Sequence, residues 1–256
     1  MHPKFCINCG TELPSQAKFC PNCGTAVAIV DQIIPKMQKM TVGSENGHEW
    51  IDLGLSVKWA SCNIGAKRPE DYGDYFAWGE VSPKKSFEWF NYRFLKRSLL
   101  NSSRIPSSKD SLEVYSDKLD GIPKRIIKYG YSDRLVKLDF SDDAAKVNWG
   151  GQWRIPSDSE FGELVSLCTW AWTKLGGKNG YKVTGPNGNS IFLPAAGNRN
   201  DVPAPCVGSS GYYWTSILDG DYLYGVYART HIFNSSVFRF DGWERASGVS
   251  VRPVTE

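Results

Sequence analysis

The chain has 256 residues, 41% of them hydrophobic, and a formal net charge of +3, enough apolar material for one sizeable globular domain with a small module beside it. No apolar run reaches the ~20 residues of a membrane helix, and the basic residues are dispersed rather than gathered into a nucleic-acid or anionic-membrane surface. Ten Trp, 12 Tyr, 12 Phe and 25 Gly point to short strands joined by tight turns.

The chain opens on a repeat: Lys4-Phe5-Cys6-Ile7-Asn8-Cys9-Gly10-Thr11 returns as Lys18-Phe19-Cys20-Pro21-Asn22-Cys23-Gly24-Thr25. Each Cys-x-x-Cys turn puts a pair of thiolates on one side of a tight bend, so Cys6, Cys9, Cys20 and Cys23 are expected to hold one Zn²⁺ in a tetrahedron. So short a segment cannot bury enough apolar surface to fold alone, whereas structural zinc supplies roughly 10–16 kcal/mol in finger peptides. An all-thiolate sphere is closed, which suits a structural ion rather than a catalytic one. Disulfides or a thioredoxin-type redox pair form the competing reading. Redox motifs open a helix in a βαβ setting that is missing here, and no apolar leader follows Met1, so a reducing, cytoplasmic location is expected. The pattern resembles the N-terminal zinc-ribbon family that precedes many different bacterial domains, which implies an accessory or interaction module at residues 1–25.

Residues 26–47 read as a linker, with Pro35 against a helix and a polar Gly43-Ser44-Glu45-Asn46-Gly47 end. A second domain is expected over 48–256. It opens with a strand pair, Trp50 to Leu55 and Val57 to Gly65, around a glycine turn, and Tyr72 to Glu80 alternates again. Residues 81–124 are polar, Ser-rich and basic without clear periodicity, and read as a surface insertion. The clearest helix begins at Ser157, where Ser157-x-x-Glu160 forms a capping box ahead of Phe161, Leu164, Val165 and Cys168. Strands are expected at Trp170 to Leu175, Tyr181 to Thr184, Ser190 to Leu193, Tyr212 to Ile217, Tyr222 to Ala228, Ser236 to Phe240 and Val249 to Val254. This pattern describes an α+β or mostly β domain rich in short antiparallel strands.

Several segments of the second domain carry a resemblance: Ile51-Asp52-Leu53-Gly54-Leu55-Ser56-Val57-Lys58-Trp59-Ala60, Tyr72-Gly73-Asp74-Tyr75-Phe76-Ala77-Trp78-Gly79-Glu80, Trp149-Gly150-Gly151-Gln152-Trp153-Arg154-Ile155-Pro156, Gly211-Tyr212-Tyr213-Trp214-Thr215-Ser216 and Val249-Ser250-Val251-Arg252-Pro253-Val254. Together with Asp142-Asp143-Ala144-Ala145 and Phe192-Leu193-Pro194-Ala195-Ala196-Gly197, they are similar to the Fibrobacter major paralogous domain family. The resemblance implies a C-type-lectin-like fold, shared with formylglycine-generating enzymes and with the variable proteins of diversity-generating retroelements, having closely placed ends and a loop-rich binding face. The closing segment lacks the cysteine pair on which formylglycine-generating enzymes work. Calcium-dependent sugar sites need carboxylates and amides around the ion, but Gly185-Pro186-Asn187 lacks the acid and Trp-Asn-Asp is absent.

The histidines are His2, His48 and His231, and no phosphate loop, His-Glu-x-x-His or nucleophile elbow accompanies them. The leading expectation is a non-enzymatic binding module whose partner is a protein or other macromolecule. Its recognition face is expected from Tyr222, Tyr224, Tyr227, Arg229, His231, Arg239, Asp241, Trp243 and Arg245, the aromatic and Arg types enriched at hot spots. Asn234, Ser235, Ser236, Ala246 and Ser247 would be its adaptable loop positions, and Trp243 is expected to be partly exposed where Trp153 is buried. A nucleic-acid role, resting on Lys4, Lys18, Lys84, Lys85, Arg93, Lys96, Arg97 and Arg104, and an enzyme of unidentified activity are the alternatives.

Overall fold

The computed structural model describes residues 4–5, 9, 11–14, 17, 19–24, 41–95, 126–130, 133–200, 206–219 and 225–256. The chain divides into two compact units, Met1–Lys39 and Met40–Glu256. In the first, β1 (Lys4–Phe5) pairs antiparallel with β2 (Glu12–Leu13), Lys4 opposite Leu13.

The second unit is mostly β, with short strands, nearly all antiparallel, and few helices. It runs β3 (Val42–Glu45), β4 (His48–Ile51), β5 (Lys58–Ala60), β6 (Tyr75–Phe76), α1 (Ala144–Trp149), α2 (Asp158–Leu167) and β7 (Thr169–Leu175). It continues through β8 (Lys178–Thr184), β9 (Ser190–Pro194), β10 (Ser210–Leu218), β11 (Tyr227–Asn234), β12 (Phe238–Glu244), β13 (Val249–Ser250) and β14 (Val254–Thr255). A four-stranded sheet has the order β14-β5-β4-β3, so the two ends of this unit form the opposite edges of one sheet. A three-stranded sheet is the meander β7-β8-β9, and a five-stranded sheet has the order β12-β11-β10-β13-β6, with β10 and β13 parallel.

The expected linker is too long. Its polar end is the hairpin β3–β4, closed by Asn46 and Gly47 at φ 48° and 82°. Asn-Gly is the pair that tolerates two successive positive φ values and matches the twist of paired strands.

Strand β10 shows where the core sits. Successive side chains point to opposite faces, and here both faces are covered. Tyr212, Trp214 and Leu218 enter one cluster with Trp78, Tyr92, Trp149 and Trp153, while Tyr213 enters another with Trp59, Phe161, Leu164 and Phe233. Trp153 is fully buried, its Nε1 donating to Glu45 O at 2.7 Å and its ring edge-on to Trp149 at 5.1 Å. The first cluster also takes Phe87, Tyr92 and Phe94, which corrects the surface insertion at its start: residues 81–95 are core-forming, and residues 96–124 lie outside the described residues. Cys62 packs on the first cluster and Cys168 on the second, so these thiols are not neighbours.

Helix α2 starts as its sequence dictates: Ser157 Oγ accepts from Glu160 N–H while Glu160 reaches back to Ser157 N–H at 2.7 Å, and Phe161 and Leu164 are buried. Helix α1 escaped the sequence reading because it spans six residues. It is held by Asp143, whose Oδ1 accepts from Ala145 and Lys146 N–H at 2.8 and 3.0 Å and whose Oδ2 accepts from Ile155 N–H at 2.8 Å. Strand β11 starts later than the expected Tyr222 and runs six residues past the expected Ala228, to Asn234.

Candidate functional site

In the first unit Cys9, Cys20 and Cys23 place their sulfurs within 4.8 Å of one another, with Cys9 and Cys20 Sγ 3.5 Å apart. A tetrahedral site with Zn–S of about 2.3 Å needs sulfurs about 3.8 Å apart, so the three fit one ion. Cys6 lies outside the described residues. Thr11 orients the set: its Oγ1 lies 3.2 Å from Cys9 Sγ and accepts from Asn22 Nδ2 at 3.1 Å. Hydrogen bonding to Thr11, side chain first and backbone second, holds the Cys9 thiol down to about 6, whereas the Cys20 thiol, although the Cys23 backbone N–H draws it down, is pushed up to about 11 by burial and the neighbouring sulfurs. What this site can do is fold a short segment. The thiolates replace the apolar core it lacks.

The expected recognition residues separate by exposure. Tyr222 and Tyr224 lie outside the described residues. Arg239 and Asp241 stand on one face of the edge strand β12, 53% and 48% exposed, paired at 3.5 Å. Arg229 sits on β11 at the rim, its guanidinium 3.1 Å from Asp219 and 3.6 Å from Asp158, and Tyr227 begins the same strand half-buried. Trp243 shares the Arg239 face but is half-buried, its ring 4.9 Å from Tyr212.

Two residues of the expected face are corrected outright, because His231 and Arg245 are both 0% exposed. His231 lies among rings, stacked on Phe161 at 5.0 Å and tilted against Phe240 at 5.0 Å, and neither ring nitrogen has a hydrogen-bond partner among the described residues. Burial alone drives its pKa down to about 3, so it stays neutral. Arg245 donates from Nε to Tyr92 Oη at 2.8 Å, from Nη1 to Tyr129 O and Gly225 O at 2.7 and 2.8 Å, and from Nη2 to Lys128 O at 3.1 Å. Its guanidinium also rests 4.9 Å from the Trp78 ring. Arg245 is a tie between loops, made of the five donors that suited it to a binding face. Ala246 and Ser247, expected in adaptable loops, are buried with it. Asn234 instead shapes the β11–β12 turn, its Oδ1 accepting from Ser236 and Val237 N–H at 2.9 Å each.

A second arginine, Arg252, was missed as a structural residue. It is fully buried and donates to Asn63 Oδ1 at 2.9 Å, Ala60 O at 3.0 Å and Phe192 O at 2.9 Å. Its flanks, Val251 and Pro253 within a closing apolar run, were the available signal.

No curated protein and no solved structure matches the chain. Residues 5–27 match the zinc-ribbon domain family, and with the sulfur cluster at Cys9, Cys20 and Cys23 the N-terminal segment is a zinc-ribbon domain.

Proposed function

We propose that the chain is a binding protein in which a structural zinc ribbon accompanies a β-rich domain that recognises a macromolecular partner, a protein first of all, along β12. The observation that carries this reading is the edge strand itself. Arg239 and Asp241 are exposed on a strand that is held on its other side by β11 over all seven of its residues. Such side chains can vary or engage a partner without disturbing the rings beneath. The exposed Val237 and Phe238 adjoin them at the turn, giving charge and apolar surface together. The similarity of residues 49–256 to the Fibrobacter major paralogous domain, with its lectin-like binding face, supports the same reading. So do the free thiols of Cys62, Cys168 and Cys206, which fit a reducing, cytoplasmic setting.

The test is affinity capture from the source-cell lysate, with bound proteins identified by mass spectrometry, comparing the wild type with Arg239→Ala/Asp241→Ala. A partner held by the wild type and lost by the variant at unchanged melting temperature supports the reading. Equal capture by both places recognition elsewhere and overturns it.

A further inference from the structure

A cleft of about 430 Å³ opens in the second unit between the segment after β6 and the 3-10 turn at Trp89–Asn91. Glu80, Ser82, Lys84, Asn91 and Arg93 line it, with Leu95 as an apolar wall. The cleft is open to solvent, and its volume falls in the range of small-molecule sites.

The chemistry of the cleft follows from which groups are already spent. Glu80 is buried, and both its oxygens are taken: Oε1 accepts from Arg93 N–H at 2.7 Å and Oε2 meets Lys84 Nζ at 2.7 Å. Lys84 gives its remaining donors to Asn91 Oδ1 at 3.0 Å and Asn91 O at 3.4 Å. Asn91 Oδ1 accepts a second bond from Glu88 N–H. The negative charge and the strongest acceptors of the cleft are thus satisfied internally.

Arg93 is different. Arg93 Nη1 forms an ion pair with Asp142 Oδ1 at 3.1 Å, and the guanidinium lies 5.2 Å from the Phe94 ring. Its other N–H groups have no partner among the described residues, and its side chain is 52% exposed. Asp142 does not neutralise it alone, because that buried carboxylate also takes Lys128 Nζ at 2.6 Å and Tyr129 Oη at 2.7 Å. Among the described residues the unspent capacity of the cleft is therefore donor capacity: a guanidinium fork seated on an aromatic ring, the Ser82 hydroxyl and the second N–H of Asn91 Nδ2.

We infer that this cleft binds a small organic molecule through its oxyanion, a carboxylate or a phosphate monoester, gripped by Arg93 and Ser82. A planar fork fixed at one end by Asp142 and supported by Phe94 is set to make paired hydrogen bonds to such a group. Leu95 would meet the apolar part of the ligand.

The probes are succinate and inorganic phosphate, titrated into the full-length chain and followed by side-chain Nε–Hε NMR resonances of arginine, with chloride at matched ionic strength as the blank. Saturable shifts of the Arg93 resonance are expected with at least one probe, and the tighter arm identifies the class. Arg93→Gln should weaken binding at least tenfold, and Ser82→Ala, which leaves the Arg93–Asp142 pair in place, about threefold. Failure of both probes to saturate, reproduction of the shifts by chloride, or unchanged affinity in Ser82→Ala would overturn the proposal.

Discussion

In the ribbon, sulfurs gathered within 4.8 Å take the place of a core. In the second unit, two clusters of buried rings form the core, with Arg245 and Arg252 threaded among backbone carbonyls. The contrast teaches where polar residues can be trusted as signs of function. In a segment too short to bury much apolar surface, a run of cysteines has to hold the fold through metal or disulfides, and Cys9, Cys20 and Cys23 are in no disulfide. In a unit with a large core, an arginine or histidine can be absorbed into the interior, as Arg245 and His231 are.

Removing the absorbed groups is the sharpest way to break this comparison. Arg245→Ala strands the buried carbonyls of Tyr129 and Gly225, frees the part-buried carbonyl of Lys128 and removes the donor to Tyr92 Oη, and should cost about 3–5 kcal/mol in denaturant melts. A loss below about 1 kcal/mol would show that the guanidinium is not a tie.

Trp153→Ala, at a fully buried ring, should cost about 3–5 kcal/mol. Trp243→Ala, at a half-buried ring on the sheet edge, should cost about half as much. Equal losses would mean that β12 belongs to the core as firmly as the Trp149–Trp153 pair.

His231 predicts a pH dependence. Because burial holds its folded-state imidazole near 3, the unfolded chain takes up a proton below about pH 6.5 that the native state refuses. Its contribution is fully present above about pH 6.5 and is lost toward pH 3, by about 1.4 kcal/mol per unit. His231→Phe keeps the stacking on Phe161 and should flatten that slope. Parallel pH profiles for variant and wild type would contradict the buried neutral histidine.

The smallest effect belongs to the exposed pair. Arg239→Ala should change stability by no more than about 0.5 kcal/mol, because exposed ion pairs contribute little. A larger loss would place β12 outside the surface class on which the proposed function depends.

What could be read from the sequence tracks these physical differences. The ribbon and α2 were legible because duplicated knuckles and a capping box are local, and so were the β7–β8 and β8–β9 turns. The β3–β4 hairpin carried its signal in Asn46-Gly47, obscured by the polar residues around it. Phe87, Trp89, Tyr92 and Phe94 were hidden inside a basic, Ser-rich stretch, although their ring spacing marked a packed segment. The burial of His231 and Arg245 was not legible, since the carbonyls and rings that receive them come from residues about 70 to 150 positions away or from neighbouring strands. For the candidate site, the ribbon cysteines were readable individually, whereas the choice of outward residues on β12 required its register with β11.

The most direct test of the contrast is a chelator titration of the full chain. All ten tryptophans lie in the second unit, so tryptophan fluorescence melting reports on it alone while a metallochromic dye counts zinc. Release of one Zn²⁺ per chain with the tryptophan melt unchanged, and the same melt in Cys20→Ser, is the predicted result. Absence of zinc from protein prepared without chelator, or a tryptophan melt that falls as zinc is withdrawn, would contradict it.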